Sequence, residues 1–174
     1  RRLGNQTKIM SSPVLLGLSA PVAQRLGWDT RPVTWSEIAE AAGRREFSYG
    51  MTDPSASNSG FSALVGVASA LAGTGSAVNA DQIAAVTPKL TEFFRAQALS
   101  AGSSGWLSEA YQRRAAGTDQ GQPVDGLVNY ESVLLTMNAG GQSPRPLTVV
   151  YPADGVVTAD YPLTLLSTAD DAAR

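Results

Sequence analysis

Two hydrophobic rhythms alternate along this chain. Short runs rich in β-branched and aliphatic residues read as strands: 7–10 and 14–18 on either side of Ser11-Ser12-Pro13, then 46–51, 124–129, 147–151 and 161–166. Between them, apolar residues recur at helical spacing. Phe61, Leu64, Val65, Ala68 and Leu71 mark one face of a helix running to Ala72. Leu90, Phe93 and Phe94 mark the buried side of another, built from pieces at 81–86 and 88–99, with Pro88 suited to a first turn. Leu107, Ala110 and Tyr111 belong to a helix capped by Ser103 or Ser104, and residues 131–137 form a short one. Thr34 followed three residues later by Glu37 is a capping box, opening a helix that closes at Gly43.

Strands alternating with helices predict an α/β fold, a three-layer sandwich with a mainly parallel central sheet of about five strands. No internal repeat is visible. One domain is expected over residues 1–168, with 169–174 as a boundary or linker.

Composition narrows the chemistry. The 174 residues carry a net charge of −2 and no clustered excess of Lys and Arg, which argues against nucleic acid as a partner. With neither Cys nor His, a cysteine nucleophile, a Ser-His-Asp triad and the usual thiolate or imidazole metal ligands are all excluded. The acidic residues form no calcium-loop pattern, so neither a metal nor a cofactor is expected, and no enzymatic activity. No apolar run reaches the roughly 18 residues needed to span a bilayer, and residues 1–5 lack the apolar stretch of a signal peptide.

The most informative segment is Thr52-Asp53-Pro54-Ser55-Ala56-Ser57-Asn58-Ser59-Gly60, between a strand and a long helix. In open α/β sheets ligands bind beyond the C-terminal ends of strands, beside helix N-termini whose first N–H groups lack internal partners. Ser55, Ser57 and Ser59 add hydroxyls there, and Gly60 would let a ligand approach the backbone. The plainer reading is that Ser57 or Ser59 only caps the helix. The segment is no Walker loop, lacking Gly-Lys-Ser/Thr, and no nucleophile elbow, lacking the preceding Gly and any His.

Ser11-Ser12-Pro13-Val14, Trp35-Ser36-Glu37-Ile38, and Tyr49-Gly50-Met51-Thr52-Asp53-Pro54 with Ser57-Asn58-Ser59-Gly60 occur in an order that resembles the bacterial extracellular solute-binding proteins of the molybdate- and sulfate-binding type. Leu127-Val128-Asn129-Tyr130-Glu131 and Val150-Tyr151-Pro152-Ala153-Asp154-Gly155 are similar to that family's return through its second lobe. The nearest resemblance is to the solute-binding-like domain that precedes a von Willebrand factor A domain in some actinobacterial surface proteins. It implies a type 2 periplasmic-binding-protein lobe, one part of a two-lobed clamp joined by hinge strands, lacking the family's N-terminal strand-helix units. It implies a small polar or anionic ligand held by Ser11, Ser12 and the turn from Ser55 to Gly60, with Tyr130, Glu131, Tyr151 and Asp154 near the cleft. It also implies an extracellular protein tethered by a segment outside this chain, serving a membrane permease of the ABC type. The alternative is an interaction module presenting a covalently linked von Willebrand factor A domain. Glu131 bears on the ligand: pointing inward it would repel a tetrahedral dianion, whereas at a first helical turn it would simply complement the macrodipole.

Other residues have plainer roles. Asp53 and Asp154 stand where Asp-Pro and Asp-Gly form turns. Trp28, Trp35 and Trp106 are expected to be packing residues. Arg44-Arg45 and Arg113-Arg114 are expected on solvated faces.

Overall fold

The computed structural model describes residues 3–74, 78–141 and 144–166; the expected boundary at 169–174 lies outside them. The chain runs β1 (Leu3–Ser19), α1 (Ala20–Leu26), α2 (Trp35–Gly43), β2 (Tyr49–Thr52), α3 (Asn58–Leu71), α4 (Ala80–Arg95), β3 (Gln97–Ala101), α5 (Ser104–Ala115), β4 (Gly126–Tyr130), α6 (Glu131–Ala139), β5 (Leu147–Val150) and β6 (Thr158–Leu166). The main sheet has the order β3-β2-β4-β1-β5. β2 pairs in parallel with β3 and β4, and β1 pairs antiparallel with β4 and β5. Four of these five strands therefore share one direction and β1 alone opposes them, which is the mainly parallel α/β sheet the alternation predicts.

Side-chain alternation along β1 divides the core. Val14, Leu16 and Leu18 face a cluster built with Trp35 and Ile38 of α2, Val67 of α3 and Phe93 of α4. Leu15, one step out of phase, faces the opposite cluster with Leu107 and Tyr111 of α5 and Leu134 of α6. Val128 and Leu127 of β4 divide the same way. A strand segment covered on both faces lacks polar side chains, as the Val14–Leu18 stretch of β1 does. The result is three layers: α1–α4, the sheet, then α5 and α6.

Several local expectations change. The two pieces around Ser11-Ser12-Pro13 form one strand of 17 residues. Proline is tolerated because the ladder changes partner there: Leu3 to Pro13 pair with β6, and from Val14 onward the partners are β4 and β5. β1 and β6 thus form a two-stranded ribbon that leaves the main sheet. Helix α4 is continuous through Pro88 rather than two pieces. Residues 97–99, expected as the end of that helix, belong instead to edge strand β3, where only Leu99 is buried. Its single deep apolar side chain gives little period-two signal.

The face of α3 is also corrected. Phe61 is 55% exposed, and Leu64 and Val65 are only half-buried. The buried positions are Ser59, Gly60, Ser62, Ala63, Val67, Ala68 and Ser69. Small residues bring the helix axis close to the strands, so the larger apolar side chains fall on the flanks.

The Thr34–Glu37 capping box forms in full: Glu37 N–H donates to Thr34 Oγ1 (3.1 Å) and Thr34 N–H donates to Glu37 Oε2 (2.9 Å). The Thr34 N–H and the Arg31 guanidinium hold the Glu37 carboxyl below its usual range. Thr34→Ala is expected to lower stability by about 1 kcal/mol, read as a shifted denaturation midpoint at unchanged slope. An unchanged midpoint would contradict the cap's role.

Candidate functional site: the C-terminal edge of the sheet

β2, β3, β4 and β5 all end at one edge of the sheet, and α3, α5 and α6 begin there. The N-terminal turn of each helix carries backbone N–H groups that have no intrahelical partner, together with the positive end of the helix dipole. The β1–β6 ribbon departs from the same edge, since Val14 pairs with Tyr130 at the end of β4 while Pro13 already pairs with Thr158.

Ser59 is the hub of this edge. It is buried, and its Oγ lies 2.8 Å from Thr52 Oγ1, 2.8 Å from Ser104 Oγ and 3.1 Å from Ser57 Oγ. These four hydroxyls tie the end of β2 to the starts of α3 and α5. Beneath them, buried Asn129 donates to Ser104 O (3.2 Å) and accepts from Tyr130 N–H (2.8 Å), joining α5 to β4. Asn58 Nδ2 donates to Tyr130 Oη (3.0 Å), and the Tyr130 ring meets Tyr161 of β6 edge-on at 6.3 Å. Burial, with Tyr130 beside it, raises the Tyr161 phenol above its ordinary value.

The serine-rich turn divides by role. Ser57 occupies the N-cap of α3 without a side-chain cap bond, so its hydroxyl serves the hub instead. Exposed Ser55 turns back on Asp53, donating from N (2.8 Å) and Oγ (2.7 Å) to Oδ1; these bonds hold the Asp53 carboxyl below its usual range. Asp53 is therefore the turn former its Asp-Pro context suggests. Gly60 has a packing role: an added Cβ would clash with Thr52 O, so the glycine is needed for strand–helix contact.

The remaining candidates separate likewise. Ser12 is buried and caps α6 from a neighbouring strand: its Oγ donates to Ser132 Oγ and accepts from Ser132 N–H, both at 3.2 Å. Ser11 is exposed on the ribbon, paired with Asp160. Glu131 is the first residue of α6, the helix-start position, and accepts a 2.6 Å hydrogen bond from Tyr151 Oη, which raises the tyrosine's pKa. Asp154 accepts from Trp35 N–H with both oxygens (2.8 and 3.0 Å), while Trp35 Nε1 donates to Gly155 O (3.0 Å). That carboxylate anchors α2.

Ser57, Ser59 and Tyr130 are thus brought together, Glu131 and Tyr151 share the edge, Ser11 stands on the ribbon, and Ser12, Gly60 and Asp154 are engaged in holding the scaffold. Sequence reading missed Thr52, Ser104, Asn129 and Asn58. Ser104 was visible as a possible cap, but its link to Ser59 spans 45 positions and has no local signal. Among the described residues no group of three or more acidic side chains could hold a metal, and no helix is long and apolar enough to cross a membrane.

No protein-family model and no curated protein matches the chain. Its fold does match solved structures. One, a Bordetella parapertussis protein assigned as an extracellular solute-binding protein, superposes with a TM-score of 0.66 at 13% identity, over 95% of this chain and 45% of that one. Maltose-bound MalE3 of T. maritima superposes with a TM-score of 0.53 at 12% identity, over 95% of this chain and 46% of its own. The chain therefore spans less than half the length of these two proteins, and its fold is similar to that of part of each.

Proposed function

We propose that this chain is one lobe of an extracellular solute-binding protein. Its ligand sits at the C-terminal edge of the sheet, and the β1–β6 ribbon is the crossing toward a second lobe. The observation that carries this reading is the convergence of three helix N-termini, linked through the Ser59 hub and Asn129, at the edge where the ribbon leaves the sheet. Such an edge offers fixed N–H and O–H groups to a small polar solute. Ser57, Ser104 and Tyr130 are the side chains expected to touch it, with Glu131 and Tyr151 on the rim. Delivery of the solute to a membrane permease is the use such a lobe would serve.

The reading is non-catalytic. Ser59 is surrounded by hydroxyls, and among the described residues no base stands among its hydrogen-bond partners to activate it.

The test is a thermal-shift screen of the full-length gene product against sugars, amino acids and oxyanions, since binding to the native state raises apparent stability by mass action. At least one class should raise the melting temperature with dose, and Ser57→Ala combined with Ser104→Ala should abolish the response. A full-length protein that responds to none of them would overturn the assignment.

A further inference from the structure

We propose that the start of α6 is a collar that sets the direction in which the β1–β6 ribbon leaves the main sheet, with Tyr130, Glu131 and Ser132 each holding a different segment at the ribbon's root. The collar acts whether or not a solute is bound.

The three residues are consecutive, and their partners lie far apart in the chain. Ser132 holds β1: its N–H donates to Ser12 Oγ and its own Oγ accepts from Ser12 Oγ, both at 3.2 Å. Glu131 holds the segment between β5 and β6, accepting from Tyr151 Oη at 2.6 Å. Tyr130 holds β6 through its ring, which meets Tyr161 edge-on at 6.3 Å, and its hydroxyl is fixed from α3 by Asn58 Nδ2 at 3.0 Å. Both ribbon strands, and the segment that leads into one of them, thus converge on a single helical turn.

One face of the ribbon makes these contacts. Ser12 pairs with Ala159 and Met10 with Tyr161. Side chains alternate across a strand, so these four residues share a face, and it is the face turned to α6. Ser11 and Asp160, paired with each other, lie on the opposite face, where Asp160 meets exposed Lys8 at 2.6 Å.

The ribbon needs such a support. Among the described residues, β1 from Leu3 to Pro13 pairs with β6 alone; the ladders to β4 and β5 begin at Val14 and Leu16. Two strands by themselves are marginally stable in water, so side chains at the root must hold them in one direction. The segment entering β6 is pinned twice, to α6 by Tyr151 and to α2 by the Asp154 carboxylate on Trp35 N–H.

The helix gains from the same contacts. The first N–H groups of a helix lack internal partners. Tyr130 occupies the N-cap of α6 and makes no side-chain cap bond, so Ser12 supplies that cap from the ribbon. The edge therefore divides by task. The starts of α3 and α5 share the hydroxyl hub, while an N–H at the start of α6 is spent on β1. Tyr130 stands where the two meet, its hydroxyl on α3 and its ring on the ribbon. Under the solute-binding reading, the collar fixes the angle toward the second lobe.

The test is amide hydrogen exchange on the full-length gene product without added solute, comparing residues 7–12 and 158–162 of the ribbon with β2 and β4 of the main sheet. Tyr130→Ala and Tyr161→Ala should each speed ribbon exchange by about tenfold or more, with β2 and β4 within about twofold of wild type, because loosening confined to one segment leaves the rest protected. Ser12→Ala, a small change that removes the cap, should speed the same ribbon amides. Tyr130→Phe, which loses only the Asn58 bond, should fall between wild type and Tyr130→Ala. Lys8→Ala, which removes an exposed ion pair on the other face, should leave the ribbon unchanged. Ribbon exchange unaltered by Tyr130→Ala and Ser12→Ala would overturn the collar. Acceleration by Tyr161→Ala with none by Tyr130→Ala would place the tyrosine's contribution inside the ribbon and overturn it as well. Equal acceleration in β2 and β4 would mean that Tyr130 supports the whole fold rather than the ribbon. Because no solute is added, failure here leaves the solute-binding reading standing, and failure of the solute screen leaves the collar standing.

Discussion

Tyr49→Ala is expected to cost about 3–5 kcal/mol, the range for truncating a large buried aromatic. Tyr49 opens β2 and is fully buried. Its ring stacks on Phe93 of α4 at 4.8 Å and lies 6.0 Å from Phe47, so one side chain joins the sheet to the helical layer. Alanine would remove both contacts and leave a cavity between elements that cannot close over it. Tyr49→Phe separates packing from hydrogen bonding. The phenol donates to Phe93 O at 3.0 Å, but that carbonyl also accepts from Ala96 N–H at 3.3 Å, so it keeps a partner when the phenol is lost. The phenylalanine variant should therefore lose only about 0.5–1.5 kcal/mol. Denaturant titration of both variants checks the pair. Equal losses would mean that the hydrogen bond, not the ring, holds β2 to α4.

The buried phenol adds a pH signature. Burial raises its pKa above the ordinary value near 10. A raised folded-state pKa contributes stability that is fully present below the unfolded value and is lost as pH rises beyond it, because the unfolded chain releases the proton more readily. Wild-type stability should fall above about pH 10, and Tyr49→Phe should soften that fall.

Much of this architecture is written locally in the chain. The run Val14-Leu15-Leu16-Gly17-Leu18 is apolar at every position because both faces of β1 are covered, and Thr34–Glu37 announces a helix start through bonds made within four residues. What escaped sequence reading depends on partners far away. β3 has one deeply buried apolar side chain and becomes a strand through its ladder with β2. The ribbon's continuity through Pro13 depends on β6, nearly 150 positions further on. α3 misled because periodicity finds large apolar residues, whereas this helix approaches the sheet through Ser59, Gly60, Ser62 and Ala63. The candidate site divides in the same way. A strand-to-helix turn crowded with serine was legible as a place where polar groups gather, but which serine faces inward is decided by Thr52 and Ser104. Asp154 looked like a rim carboxylate until Trp35 N–H claimed both of its oxygens.

Gly60→Ala should couple stability and binding in one variant. Its added methyl would stand 2.4 Å from Thr52 O, 2.8 Å from Thr52 Oγ1 and 3.0 Å from Asp53 C. Two of these atoms are backbone, so no side chain can swing aside, and α3 must move outward until the closest contact reaches about 3.4 Å. Ser59 precedes Gly60 and would travel with it. Its 2.8 Å bonds to Thr52 and Ser104 would stretch beyond hydrogen-bonding length. Two opposing effects decide the sign. Alanine gains about 1 kcal/mol over glycine in helix propensity. Against this stand an overpacking penalty of about 1–3 kcal/mol and the partial loss of two buried hydrogen bonds at about 0.5–1.5 kcal/mol each. The second group wins, for a net destabilisation of about 2–3 kcal/mol, visible as a lowered denaturation midpoint. Because displacement of Ser59 also disconnects Ser104 and Ser57 from their shared hub, the same variant should lose any solute response even at temperatures where it remains folded. Ser59→Ala, which keeps the helix in place and removes only the hub oxygen, should weaken binding with a smaller stability loss. A Gly60→Ala protein as stable as the wild type would show that α3 does not rest on the end of β2 as closely as described. One that is destabilised yet binds normally would detach the hydroxyl hub from the ligand site.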